Sequence, residues 1–389
     1  MIYTHEFPPF LGGLSTTSYK IAKGATKAGL DVTVLAPSYS GQEKKLDPFF
    51  SFRVVRMSGL SRNHGIPSPI KEAVGLVSLK KEVVRINPHV VLLLTREAQT
   101  AGGMLHGFPF KEVVRVAGYE AFRYLRGKKY FNKLLGIPIR RLYMRSSMII
   151  SPSYATKELL ENAGIPGEKI QVIYNGVNED MISQNPNQEA IKKLKSKFNI
   201  NSNEKVILTI SRLVPGKGQD HVLRALPKVL KEYGDLKYLI VGEGRSEKEL
   251  KNLADRQGIR SRVIFAGAVP NSEVIDYYDL SYLFIMPNRI LRDHEHIEGL
   301  PNVIFEAASR GRPVIAGIPG GAKEIVVQGV TGYIVDGNDI DEISSYALDL
   351  LKDKRKANDF GRKAKQRIAE RFSEEKMIKG YLDILRNVS

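Results

Sequence analysis

Short runs of β-branched and aliphatic residues alternate with longer amphipathic stretches along the whole chain, and this alternation limits the fold more than any other feature. Val32-Thr33-Val34-Leu35, Val90-Val91-Leu92-Leu93-Leu94, Val113-Val114-Arg115-Val116 and Met148-Ile149-Ile150 read as strands in the first half. Val206-Ile207-Leu208-Thr209-Ile210, Tyr238-Leu239-Ile240-Val241, Val263-Ile264-Phe265, Leu283-Phe284-Ile285-Met286 and Val314-Ile315-Ala316 do so in the second. These runs are apolar throughout rather than alternating, which implies burial on both faces and hence parallel sheet. Residues 220–233 and 247–257 are helical in period and complete strand-helix-strand units. Two such blocks predict an α/β chain of two doubly wound, Rossmann-like domains. A length of 389 residues, too long for one ordinary core, agrees. The polar, turn-forming Ser183-Gln184-Asn185-Pro186-Asn187-Gln188 marks the join, giving expected domains at 1–185 and 186–360.

Composition excludes several classes. There is no cysteine, hence no disulfide, thiol nucleophile or zinc-thiolate site. No run of about 18 apolar residues suggests a membrane-spanning helix. The opening Met1-Ile2-Tyr3-Thr4-His5-Glu6 lacks the basic and apolar segments of a secretory signal, so cytoplasmic residence is expected. The first strand, around Tyr3-Thr4, reads as short.

The net charge of +17 is unevenly placed. Residues 1–170 hold 25 Lys and Arg against 12 Asp and Glu, so the excess belongs to the N-terminal half. Residues 119–145 interleave Tyr119, Phe122, Tyr124, Tyr130 and Phe131 with Arg123, Arg126, Lys128, Lys129, Lys133, Arg140 and Arg141. That pattern suits an anionic membrane interface, a loop closing over an acceptor, or a solvated basic face over core aromatics. Nucleic acid would match the charge alone, and no nucleic-acid motif accompanies it.

Two segments of the second half carry the chemistry. Ser211-Arg212-Leu213-Val214-Pro215-Gly216-Lys217-Gly218 leaves the strand 206–210, and ligands of open α/β sheets bind at such strand ends. Glu298-Gly299-Leu300-Pro301-Asn302-Val303-Ile304-Phe305-Glu306 is Glu, seven residues, Glu. Pro301 suits the first turn of a helix, which places Glu298 in the loop and Glu306 inside the helix. Such a helix start offers N–H groups to a phosphate. Two cations and two carboxylates match a nucleotide diphosphate sugar, with positive charge for the diphosphate and carboxylates for the hydroxyls.

In this order and spacing the motifs resemble the family 4 glycosyltransferases, retaining enzymes of the GT-B fold, over nearly the whole chain. The resemblance implies two Rossmann-like domains facing a central cleft, with the donor on the C-terminal domain and the acceptor on the N-terminal one. It implies a C-terminal helix, residues 361–389, crossing back to the N-terminal domain. Arg212, Lys217 and Glu298 become the catalytic set, Glu298 lying near the sugar hydroxyls. Glu306 holds the ribose, while Leu300, Pro301, Asn302 and Val303 line the phosphates with backbone groups. Gly242 and the Gly320-Gly321 pair match further family turns. Gly12 and Gly13 either let the backbone approach the donor phosphate from the N-terminal domain or form only a helix-entry turn. Asn175-Gly176 matches a family motif and equally suits a type I′ turn.

One position departs from the family. The third N-terminal strand there ends in His-Gly, with the imidazole facing the donor sugar, whereas here Ala117 precedes Gly118. His106 falls before that strand and is not assigned the role, and His5 and Glu120 are candidates to compensate. Front-face attack, the mechanism argued for the family, needs no protein nucleophile. The expected activity is transfer of a hexose-type sugar from a UDP- or GDP-linked donor, without a cofactor, to a glycan or lipid-linked acceptor of envelope synthesis. The alternative is an inactive scaffold that still binds nucleotide sugar. Asp293-His294-Glu295-His296 and Asp339-Ile340-Asp341 are weak metal motifs, so a metal-independent enzyme is expected.

Overall fold

The computed structural model describes the chain apart from residues 11, 40, 42, 59–67, 119–124, 126–129, 292–298 and 389. It divides into two units, Met1–Gly176 with Glu374–Ser389, and Val177–Ser373. In the first, the strands are β1 (Ile2–Tyr3), β2 (Thr33–Pro37), β3 (Arg53–Met57), β4 (Val90–Leu93), β5 (Lys111–Arg115), β6 (Met148–Ser151) and β7 (Ile170–Val172). They form one sheet in the order β3-β2-β1-β4-β5-β6-β7. In the second, β8 (Lys205–Ile210), β9 (Leu236–Val241), β10 (Val263–Gly267), β11 (Leu283–Met286), β12 (Val314–Gly317) and β13 (Gly332–Val335) are ordered β10-β9-β8-β11-β12-β13. All neighbouring pairs are parallel. Each order reverses beside the first strand of its unit, the point where doubly wound sheets open a crevice for a ligand.

Burial on both faces explains the apolar runs. Ile2, Val34, Leu92 and Val113 pack with Ile21 and Ala25 of the helix Gly13–Lys27 and with Met377, Tyr381 and Ile384 of the helix Glu374–Val388. Tyr3, Leu35, Leu93 and Val114 face the other way, onto Leu79, Val83, Leu142 and Tyr143. In the second unit Ile207, Tyr238, Ile240 and Ile285 pack on Val222, Leu226 and Leu350.

The unit boundaries fall at Gly176/Val177 and Ser373/Glu374 rather than at residues 185/186 and 360/361. The C-terminal periodicity covers two helices, Lys354–Arg371 and Glu374–Val388. The first stays with the second unit: Arg367 donates to the carbonyls of Ile325 and Glu324, and Phe372 meets Phe305 edge-on at 5.0 Å. Only the second belongs to the first unit. Strands β3 and β13 had no counterpart in the sequence reading. Both are sheet edges; β3 is interrupted by Arg53 and Arg56, and β13 is a four-residue strand that opens on a glycine.

Candidate active site

The loops leaving β8, β9 and β11 meet at the carboxyl edge of the second sheet. After β8, residues Pro215–Lys217 make a single 3₁₀ turn, and Gly218 caps the helix Gln219–Glu232 at φ +83°. A Cβ on Gly218 would stand 2.2 Å from the Pro287 carbonyl oxygen, so this loop lies directly against the one after β11. The Arg289 N–H donates to the Gly216 carbonyl at 3.0 Å, and the Arg289 guanidinium pairs with Asp220 at 2.9 and 2.7 Å. Buried Gln219 ties the loop to its own start, donating from Nε2 to Ser211 Oγ (2.8 Å) and to the Arg212 carbonyl (3.1 Å). The backbone that carries Arg212 and Lys217 is thus held at both ends. The Arg212 side chain is exposed and that of Lys217 half-buried.

Gly242 follows β9 at φ +126°, and a Cβ there would lie 2.1 Å from the Ser211 carbonyl oxygen. The Leu213 N–H donates to the Glu243 carbonyl at 2.9 Å, which joins the β8 and β9 loops. On the other side of the switch point, buried Asn288 donates from Nδ2 to the Pro319 carbonyl (2.9 Å) and accepts from the Gly317 N–H (3.3 Å). The Gly321 N–H donates to the Gly299 carbonyl at 3.0 Å, fixing the approach to the helix Asn302–Ser309.

Pro301 stands at the N-cap of that helix, with extended ψ of 107°, one position before the first turn that the sequence suggested. Leu300 and Pro301 are buried, Asn302 and Val303 half-buried. Glu306 lies inside the helix, and its Oε2 accepts a 2.8 Å hydrogen bond from Tyr278 Oη. Tyr278 is fully buried, and that burial, with the neighbouring Glu306 charge second, holds its phenol well above the ordinary tyrosine range. Sequence reasoning missed Tyr278, Gln219 and Asn288, which lie in no motif.

Arg212, Lys217, Gly242, Leu300, Pro301, Asn302, Val303 and Glu306 therefore share one sheet edge. Gly12 and Gly13 belong to the first unit, where Gly13 opens the helix Gly13–Lys27. Glu298, Glu120 and the whole of 293–296 lie outside the described residues. Ala117 lies two residues past the end of β5, whereas His106 sits before β5, with Nδ1 2.9 Å from Arg145 Nη1, at the opposite end of the strand. His5 follows β1 and is buried, its Nε2 2.9 Å from Tyr3 Oη. Neither Asn175 nor Gly176 has positive φ, which excludes the type I′ turn, and Asn175 Oδ1 accepts instead from Arg115 at 2.9 Å. Asp339 caps the helix Ile340–Lys352 and Asp341 pairs with Lys228 at 2.8 Å, so this Asp-x-Asp has structural partners. Among the described residues no cluster of three or more His, Asp or Glu is placed to hold a metal ion, and no helix is long and apolar enough to cross a membrane.

Residues 11–181 match the family model Glycosyltransferase Family 4, and residues 190–367 match Glycosyl transferases group 1. The chain is 29% identical to a GDP-mannose-dependent alpha-(1-6)-phosphatidylinositol monomannoside mannosyltransferase of Mycolicibacterium smegmatis, over 93% of this chain and 91% of that protein. It is 26% identical to the Corynebacterium glutamicum enzyme acting on the monoacylated form, over 100% and 97%. Among solved structures it resembles HepE of Anabaena in complex with UDP-glucose, at a TM-score of 0.80 and 20% identity, covering 99% of each chain. It also resembles sucrose-phosphate synthase of Thermosynechococcus elongatus, at 0.81 and 16%, covering 100% of this chain and 98% of that one. The two family models lie end to end over the two Rossmann-like units, and the chain is a family 4 glycosyltransferase of the GT-B fold.

Proposed function

We propose that the protein transfers a hexose, with retention and without a metal, from a nucleotide diphosphate sugar to a lipid-linked glycan acceptor. The observation that carries this reading is the convergence of Arg212, Lys217 and the start of the helix Asn302–Ser309 on the switch point of the second sheet. Backbone of residues 300–303 receives the diphosphate, and Glu306 receives the ribose hydroxyls. As the bond from the anomeric carbon to the phosphate oxygen breaks, its electron pair stays on the diphosphate, where Arg212 and Lys217 stabilise it. The acceptor oxygen bonds to the same face, and its proton passes to the departing phosphate oxygen. Glu298 attends the sugar hydroxyls.

GDP-mannose is the first donor to test, because the relatives at 29% and 26% identity are named for it. The same names supply the lipid-linked acceptor class, and a peripheral location on the cytoplasmic face of the membrane follows from it. The inactive-scaffold reading, motivated by Ala117, is not favoured, since relatives spanning the whole chain are named as transferases.

The test is nucleotide release from a panel of GDP- and UDP-sugars, with and without a membrane lipid extract. The expected result is release that needs one donor and the extract, is lost in Lys217→Ala, and persists in EDTA. The anomeric configuration of the product, read by NMR coupling, checks retention. Saturable donor binding with no release under any condition would restore the scaffold reading.

A further inference from the structure

Arg289 grips the chain on both sides of Lys217. Its backbone N–H donates to the carbonyl of Gly216, one residue before Lys217, at 3.0 Å. Its guanidinium pairs at two points with Asp220, three residues after Lys217: Nη1 to Oδ1 at 2.9 Å and Nη2 to Oδ2 at 2.7 Å. One residue of the β11 loop thus brackets one residue of the β8 loop. The fork sets direction as well as distance, because two parallel hydrogen bonds hold the carboxylate in the guanidinium plane.

Arg289 itself has little freedom, being 8% exposed. Asn288, one residue earlier, is buried and tied to Pro319 and Gly317. Behind stands the loop after β13, where a Cβ on Gly337 would lie 2.4 Å from the Pro287 carbonyl oxygen and 3.1 Å from the Arg289 Cβ. His221, beside Asp220, donates to the Gly337 carbonyl at 2.7 Å, and its Nε2 lies 3.7 Å from the Asp220 carboxylate. Three loops at the carboxyl edge of the second sheet therefore close on one ion pair, and Lys217 rides on the loop that the pair spans.

Such a pair is a poor source of stability, since desolvation of the guanidinium offsets much of its attraction. What it adds is a fixed geometry. We propose that Arg289 and Asp220 are positioning residues that hold the Lys217 ammonium at the departing diphosphate, so that their contribution to turnover passes through Lys217. The inference deepens the proposed function and rests on the leaving-group role of Lys217.

The experiment is a double-variant cycle of Arg289→Gln and Lys217→Ala in the full chain. It is read as kcat at saturating donor and as affinity for GDP and UDP. The Asp220 side chain is 28% exposed, so water replaces the lost partner and Arg289→Gln is expected to fold with a thermal midpoint near that of the parent. Arg289→Gln is expected to lower kcat roughly tenfold, less than Lys217→Ala, with donor KM changed less than about threefold. Asp220→Asn should match it. Arg289→Lys, which keeps the charge and loses the fork, should fall between the parent and Arg289→Gln. In the Lys217→Ala background Arg289→Gln should cost nothing further, because its route to the chemistry is already gone. The same non-additivity is expected in nucleoside diphosphate affinity, a readout that needs no turnover. Arg289→Gln with parent kcat and affinity, or a full further loss in the Lys217→Ala background, would make the pair a brace of the fold only and overturn the proposal while leaving Lys217 in its role. Parent-like turnover and nucleotide affinity in Lys217→Ala would remove Lys217 from the chemistry and this inference with it.

Discussion

Tyr278 Oη donates to Glu306 Oε2 across 2.8 Å, from a side chain with no exposure to solvent. The bond fixes one oxygen of the carboxylate and with it the plane that Glu306 presents. Tyr278→Phe keeps the ring and removes only the donor. A hydrogen bond to a charged group contributes about 1.5–3 kcal/mol, so nucleotide affinity is expected to fall roughly tenfold or more. Titration calorimetry with GDP and its dideoxyribose analogue separates the causes. If Glu306 holds the ribose, Glu306→Gln erases the preference for the hydroxylated sugar and Tyr278→Phe reduces it. A Tyr278→Phe protein that keeps the whole preference would make the contact purely structural.

Arg212 and Lys217 sit on one braced loop but differ in setting, exposed against half-buried. Charge acting on a leaving group in a dry site is worth more than charge in water. Lys217→Ala is therefore expected to cost on the order of 10²-fold or more in kcat, and Arg212→Ala somewhat less. Single-turnover kinetics at saturating donor would show it, and unchanged turnover in both variants would remove the loop from the chemistry.

Gly242 has φ +126° and no room for a methyl group, the Ser211 carbonyl oxygen standing 2.1 Å from the Cβ position. Gly242→Ala must either hold a left-handed conformation or push the β8 loop outward. A loss of roughly 2–4 kcal/mol is expected, from strain plus displaced backbone. Urea unfolding measures that loss, and weakened nucleotide binding in the folded fraction would show that the displaced loop is the one carrying Arg212.

The legible part of this structure was the part whose physics is local. Central strands such as β8 and β9 announce themselves because burial on both faces leaves no polar position. The edge strand β3 carries Arg53 and Arg56, and the latter pairs with Asp47 at 2.6 Å, so its sequence reads as a polar connection. The break between the last two helices was hidden because Phe372 and Met377, both buried, keep apolar residues recurring through it. The cations and Glu306 were found as a motif. Tyr278, 28 residues before Glu306, was not, because a pairing across that separation leaves no spacing to read.

His221 predicts a pH dependence. Its Nδ1–H donates to the Gly337 carbonyl at 2.7 Å, and burial, then Arg289, depress its pKa below the ordinary 6.5. The folded state therefore resists protonation, while the unfolded chain protonates normally. Stability is full above about pH 6.5 and falls as pH drops below it, because the unfolded state then binds more protons. Thermal midpoints between neutral and mildly acidic pH should fall in the parent and fall less in His221→Gln. Equal slopes would place the acid sensitivity elsewhere.

Asp279 and Arg310 form the most deeply buried ion pair among the described residues, each side chain 2% exposed and joined through two hydrogen bonds of 2.9 and 2.7 Å. Arg310 also donates to the Met181 carbonyl at 2.9 Å, which ties the start of the second unit to its core. Arg312 lies 3.8 Å from the same carboxylate. Removing one partner of such a pair strands the other, at a cost of roughly 3–5 kcal/mol. The two single variants should not be equal. Arg310→Ala leaves Asp279 with Arg312 as a second cation, whereas Asp279→Ala removes the carboxylate both guanidinium groups approach and leaves Arg310 only the longer-range charge of Asp276. Asp279→Ala is thus expected to unfold at lower urea than Arg310→Ala. Arg310→Met with Asp279→Leu should recover part of the loss, because a buried pair replaced by apolar groups no longer carries a desolvated charge. Arg310→Ala unfolding at lower urea than Asp279→Ala would show that the Met181 tether, not the charge balance, governs this corner of the fold.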